Sequence, residues 1–188
     1  SPTNPGNMGF DEWLSHDNFF EMDPVLSRNG GDPAVHEGEG SEIMIDETIR
    51  FIGKAQDAGK PFFAVVWFGS PHQPYSALEE DLALYDDLPE KYAEEMAPMT
   101  SLETGDRIKI PLRDLLQARF AEITAMDRAI GKLRTHLENQ GIRNNTMLWY
   151  TSDNGGLNSE TSGGRMKKGS IYEGGLRVPG IIEWPAGK

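Results

Sequence analysis

The chain has 188 residues, 18 Lys and Arg against 30 Asp and Glu, a formal charge of −12 and no Cys. That length suits one domain or a large piece of one, which buries roughly 70% of its unfolded surface. The acidic balance excludes a protein that grips nucleic acid through a basic face, and the lack of Cys excludes disulfides, zinc–thiolate sites and a thiol nucleophile within these residues.

Residues 1–9 form a polar Pro/Gly stretch that reads as a loop. The chain opens on Ser1 with no charged-then-apolar leader after it, and it stops at residues 184–188, just after an expected strand. Both ends suggest a piece of a longer chain, so localisation cannot be read from them. No apolar run approaches the roughly 18 residues of a membrane span.

Residues 41–58 carry Ile45, Ile49, Ile52 and Ala55 at helical spacing. Ser41 is the expected cap, Glu42 suits the first turn, and Gly59 supplies a stop. Residues 62–68, Phe-Phe-Ala-Val-Val-Trp-Phe, are continuously apolar and predict a strand buried on both faces. The strand ends in the loop Ser70-Pro71-His72-Gln73-Pro74-Tyr75. Residues 79–103 hold nine carboxylates against one lysine, interrupted by Pro89 and Pro98, and predict a solvated irregular excursion.

Helical periodicity returns over residues 112–140 through Leu116, Phe120, Ile123, Met126, Ile130, Leu133 and Leu137, with Pro111 at the start and Gly141 past the end. Residues 146–151 predict a second buried strand, ending in Ser152-Asp153-Asn154-Gly155-Gly156. Residues 178–184 predict a third. Helices alternating with buried strands indicate an α/β layered fold.

In such folds ligands bind at the carboxyl ends of strands. Asp153 and Asn154 offer hard oxygen donors suited to Ca²⁺ or Mg²⁺, although an Asp-Asn-Gly after a strand is also an ordinary turn. His72 sits in a loop stiffened by two prolines. His136 falls within a helix, and His16 and His36 fall in irregular polar stretches. Lys167-Lys168-Gly169-Ser170 fails the nucleotide-loop pattern, which needs Lys after its second glycine. A lysine there is either a solvated surface cation or a point-charge clamp on an anion.

Read in order, these segments resemble the formylglycine-dependent sulfatases of the alkaline-phosphatase-like superfamily. The strand ending in Ser152-Asp153-Asn154-Gly155 and the string from Lys168-Gly169 through Glu173-Gly174-Gly175-Leu176-Arg177-Val178-Pro179 are similar to that family's pattern. Ser70-Pro71-His72-Gln73-Pro74 resembles its A/S-P-H-x-P loop, Gly9-Phe10-Asp11-Glu12-Trp13 its G-F-D-x-F/W segment, and residues 122–131 its helix before the second strand.

The resemblance implies an alkaline-phosphatase-like layered fold, with a central mixed sheet flanked by helices and incomplete at both ends. Residues 1–188 would then be the downstream portion of a catalytic domain. By the same resemblance Asp153 and Asn154 ligate a divalent metal, usually Ca²⁺ with Mg²⁺ as the alternative. His72 contacts the ester oxygen and Lys168 a sulfate oxygen, all converging on one oxyanion. Gln73 is a candidate substrate contact, and Trp13, His16 and Tyr75 lie in segments able to line the pocket. Glu173 and Arg177 are expected to pair and steady the lysine loop.

The family's nucleophile motif, C/S-x-P/A-S-R, is absent. The one Ser-Arg pair, Ser27-Arg28, lies in Asp23-Pro24-Val25-Leu26-Ser27-Arg28, with its proline one place too early. The formylglycine and the remaining metal ligands are therefore expected upstream. The expected function is hydrolysis of sulfate esters, of sulfated carbohydrate or aryl sulfate, by a periplasmic or secreted enzyme. The alternatives are a phosphate-ester or phosphonate hydrolase or transferase of the same superfamily, and a non-catalytic relative binding metal or sulfated glycan.

Overall fold

The computed structural model describes residues 3–15, 22–158 and 161–187. Two compact units make up the chain, Ser1–Leu133 and Arg134–Lys188.

The first unit begins with short strands β1 (Leu14–Ser15), β2 (Val25–Arg28) and β3 (Ala34–Val35), paired antiparallel in that order. Helix α1 (Gly40–Asp57) follows. Its cap is Glu39, not Ser41: the Glu39 carboxylate accepts the Glu42 N–H at 2.9 Å. A carboxylate satisfies one orphan donor and also complements the helix dipole. Ser41 lies inside the helix instead, buried, with its hydroxyl 3.5 Å from that of Ser70. Ile45 and Ile52 enter the core as their spacing predicts.

The acidic stretch is ordered rather than irregular. It forms α2 (Glu79–Leu82), two 3₁₀ turns and strand β4 (Met96–Thr100), which pairs antiparallel with β5 (Arg107–Pro111). Asp81 is buried against Arg128, which bonds both carboxylate oxygens at 2.7 and 2.9 Å. The carboxylates of this stretch are thus not all solvated.

Helix α3 (Leu112–Asn139) matches its predicted span. It stops where Gly141, at φ 69°, takes the left-handed turn that non-glycine residues resist. Leu112, Leu115 and Leu116 from its first turns pack with Tyr75 and Ala97 in one buried cluster.

Residues 62–68 do not form the strand buried on both faces that their composition predicts. No strand pairs with them among the described residues; Phe63 is 75% exposed and Trp67 86%. An apolar run becomes a central strand only when neighbours supply ladder bonds and covering layers, and the described residues of this unit supply none. The 188-residue chain expressed alone is expected to bind a hydrophobic dye and to aggregate. A sharp two-state melt without dye binding would refute this.

In the second unit β6 (Leu148–Thr151) pairs antiparallel with β7 (Gly180–Glu183). These are the second and third predicted strands, but alternate residues are uncovered and Trp149 is 66% exposed. Arg134 and Arg143 donate to the Glu183 carboxylate at 2.6 and 2.8 Å, and these bonds hold its pKa below the usual carboxylate range. No helix among the described residues is long and apolar enough to cross a membrane.

Candidate active site

The predicted site residues fall into two groups, one in each unit. His72 and Gln73 belong to the first, and Asp153, Asn154 and Lys168 to the second. His16 lies outside the described residues.

In the first unit the loop after residue 68 is held from several sides. Gln73 is buried, and its side chain mimics a strand neighbour: Nε2 donates to Pro98 O at 3.3 Å, and Oε1 accepts the Thr100 N–H at 3.1 Å. The amide thus ties the loop to β4. Tyr75 is buried among Ala97, Leu112, Leu115 and Leu116, and burial raises its pKa above the ordinary phenol value. The Ser76 N–H donates to Glu122 Oε1 at 2.8 Å. His72 Nδ1 lies 2.6 Å from Gln73 O. A carbonyl can only accept, so Nδ1 carries a hydrogen, and proton exchange with a ligand falls to Nε2.

In the second unit Asp153 and Asn154 follow β6 directly. The Asn154 amide donates to the Asp153 carboxylate, and the Ser152 hydroxyl donates to Asn154 O at 3.0 Å. A second loop, residues 163–177, closes against this turn through paired backbone bonds. Gly155 N–H donates to Gly175 O at 2.9 Å and Lys168 N–H to Gly156 O at 2.8 Å, while Gly174 N–H donates to Arg165 O at 2.8 Å within the loop. These approaches leave no space for side chains: a Cβ on Gly155 would strike the Gly174 carbonyl, and one on Gly174 the carbonyl of Met166. The glycines therefore bring the backbone of Lys168 beside the residues that follow Asn154.

Met166 holds φ 67°, a left-handed conformation costing a non-glycine residue about 1 kcal/mol or more. Arg165 stacks over the Tyr172 ring at 4.2 Å. The expected Glu173–Arg177 ion pair does not form. The two share a helical backbone bond at 2.8 Å across α4 (Glu173–Leu176), and the loop is steadied by its backbone instead.

Asp153 and Asn154 supply a carboxylate and an amide, hard-oxygen chemistry that fits part of a Ca²⁺ or Mg²⁺ shell. They do not make a whole one: no group of three or more His, Cys, Asp or Glu able to hold a metal occurs among the described residues.

Sequence reasoning missed Glu122. It is 2% exposed, and burial, with the Glu39 carboxylate nearby, pushes its pKa up to about 8 despite the bond from Ser76. The signal was there: Glu122 falls in helical phase with Leu115, Met126, Ala129 and Leu133, all buried.

Both loops stand on an α/β chain of the alkaline-phosphatase-like type, and the comparisons identify the lineage. The chain belongs to the sulfatase family, whose model matches residues 1–188. It is 27% identical over 190 residues to an endo-4-O-sulfatase of Bacteroides thetaiotaomicron, covering 94% of this chain and 35% of that protein. It is 31% identical over 153 residues to an arylsulfatase of Clostridium perfringens, covering 76% of this chain and 31% of that one. Among solved structures, that of Ps i-CgsB in complex with k-i-k-neocarrahexaose superposes with a TM-score of 0.77 at 23% identity, over 98% of this chain and 42% of that one. The chain thus spans about a third of the length of these curated relatives.

Proposed function

We propose that the full-length protein to which this chain belongs hydrolyses sulfate esters, of sulfated carbohydrate before aryl sulfate, and that residues 1–188 form the downstream portion of its catalytic domain. The observation that carries the reading is the pair of backbone bonds joining the Asp153–Asn154 turn to the Lys168 loop. It ties the backbone of Lys168, the proposed anion-binding residue, to the turn that bears two hard oxygen donors. Names among the relatives favour sugar sulfates: an endo-4-O-sulfatase, an N-acetylgalactosamine-6-sulfatase of Rattus norvegicus, and a structure solved with D-glucosamine-2-N, 6-O-disulfate as substrate.

The chemistry follows from charge. A sulfate ester is already an anion, and its ester oxygen gains charge as the S–O bond breaks. Lys168 binds a sulfuryl oxygen as a point charge. His72, with Nδ1 committed to Gln73 O, faces the departing oxygen through Nε2 and gives it a proton. Gln73 contributes by holding that imidazole's loop on β4, or by touching the alcohol portion. Asp153 and Asn154 would hold the Ca²⁺ or Mg²⁺, which when bound neutralises charge on the sulfuryl oxygens. The attacking group, a formylglycine in the resembled family, is expected from a part of the protein outside these residues, as are the other metal ligands. Export to the periplasm or the medium belongs to the same proposal.

The test is sulfate release by the full-length protein from a panel of sulfated sugars and an aryl sulfate, beside phosphate-ester and phosphonate controls. Sulfate release from a sugar is the expected result. Phosphate or phosphonate turnover in its place would move the protein to the sister hydrolases, and no turnover with retained glycan binding would make it a binding relative. Asp153→Ala should weaken Ca²⁺ binding at least tenfold by calorimetric titration. An unchanged titration would remove the residue from the metal site.

A further inference from the structure

We propose that Glu122 is a positioning residue for the His72 loop, holding residues 70–76 in place through the Ser76 N–H from a site on α3 where the carboxyl group is almost wholly buried. The inference rests on the sulfatase reading for its consequence in catalysis, but its structural half stands without it.

Glu122 projects from the buried stripe of α3, and its Oε1 accepts the Ser76 N–H at 2.8 Å. Its Oε2 is buried, and no hydrogen bond of ordinary geometry reaches it among the described residues. An ionised carboxylate leaves that second oxygen charged and uncompensated, which is costly in an apolar interior. The Ser76 N–H and the Ser70 hydroxyl both donate toward the group and favour its ionised form, but burial outweighs them and keeps the carboxyl in its acid form.

The surrounding charges oppose one another. From the N-terminus of α1 the Glu39 carboxylate, itself buried, opposes a second negative charge. Arg119, on α3 itself, favours ionisation, but more weakly than burial and Glu39 oppose it. From the loop, Tyr75 is the other titrating group nearby, and it stays neutral across this range because burial raises its pKa. With desolvation the largest influence, the proton is retained up to about pH 8.

The sign is fixed by linkage. A carboxyl whose folded pKa is raised stabilises the fold fully below its unfolded value, and that stability is lost as pH rises through the folded value near 8. Above it, ionised Glu122 is driven toward water by its own desolvation cost and by Glu39. The Ser76 bond goes with it, and the loop bearing His72 is released at that end.

The experiment compares the wild-type full-length protein with Glu122→Gln, a neutral isostere that keeps the acceptor for Ser76. Hydrogen exchange over residues 70–76, corrected for the intrinsic effect of pH, should accelerate at least tenfold from pH 7 to pH 9 in the wild type. In Glu122→Gln it should stay flat. The same variant should keep kcat/KM for a sulfate ester within about twofold at pH 7 and shift the alkaline limb of its pH profile upward. Equal acceleration in both proteins, or none in either, overturns the proposal. The expected exchange pattern in a protein that turns over no sulfate ester would instead refute the sulfatase reading and leave the positioning role standing.

Discussion

Lys168→Ala and His72→Ala in the full-length protein should each lower kcat/KM for a sulfate ester at least tenfold, about 1.4 kcal/mol of barrier. The two losses should differ in kind. In the proposed function Lys168 binds an oxygen that is anionic before and during reaction, so its removal should weaken ground-state binding too and raise KM. In the same proposal His72 acts on an oxygen that becomes basic only as the bond breaks, so its removal should fall mainly on kcat. That loss should shrink with a leaving group of low pKa, such as an activated aryl sulfate, which departs without a proton.

Lys167→Ala is the control. The neighbouring ammonium carries equal formal charge but reads as solvated, and its loss should leave kcat/KM within about twofold. Comparable losses at Lys167 and Lys168 would mean that only the general positive potential of the loop matters. Full activity in Lys168→Ala would take that residue out of the site.

What the sequence made legible follows the range of the interactions involved. α1 and α3 were readable because helical periodicity is local: Ile45 and Ile52 in one, and Leu116, Met126, Leu133 and Leu137 in the other, are buried where the spacing puts them. The cap of α1 was misplaced by two residues because Ser41 is the better capping type. Glu39 took the role through its bond to the Glu42 N–H.

Residues 62–68 show the opposite limit. Composition reports that a segment is suited to a buried strand, but burial is conferred by partners that the segment does not encode. The β4–β5 hairpin was hidden for a related reason. Pro98 and the surrounding carboxylates argue against a strand, yet Pro98 is tolerated in this two-stranded sheet, where its carbonyl accepts from Gln73.

The candidate site divides in the same way. Asp153, Asn154, His72 and Lys168 were found by motif order. The backbone bond that latches Lys168 to Gly156 joins residues twelve apart through a carbonyl that no side-chain pattern reports. Glu122 and Asp81 were missed because charged residues on a helix and in an acidic run are usually solvated. Their burial is decided by what packs over them.

Arg128→Ala should accordingly cost far more stability than removal of a surface charge, about 3 kcal/mol in the full-length protein by urea unfolding. Asp81 is 2% exposed and both its oxygens are taken by the Arg128 guanidinium, which also donates to Glu42 at 2.8 Å. Truncating Arg128 strands a buried carboxylate, whereas truncating Asp81 leaves a cation that is partly exposed and still paired with Glu42. Asp81→Asn should therefore be milder than Arg128→Ala, and adding Asp81→Asn to Arg128→Ala should recover part of the loss, since the stranded charge is gone. Losses below about 1 kcal/mol in Arg128→Ala would class the contact with ordinary surface pairs, and strictly additive losses in the double variant would show that the two side chains do not act as a unit.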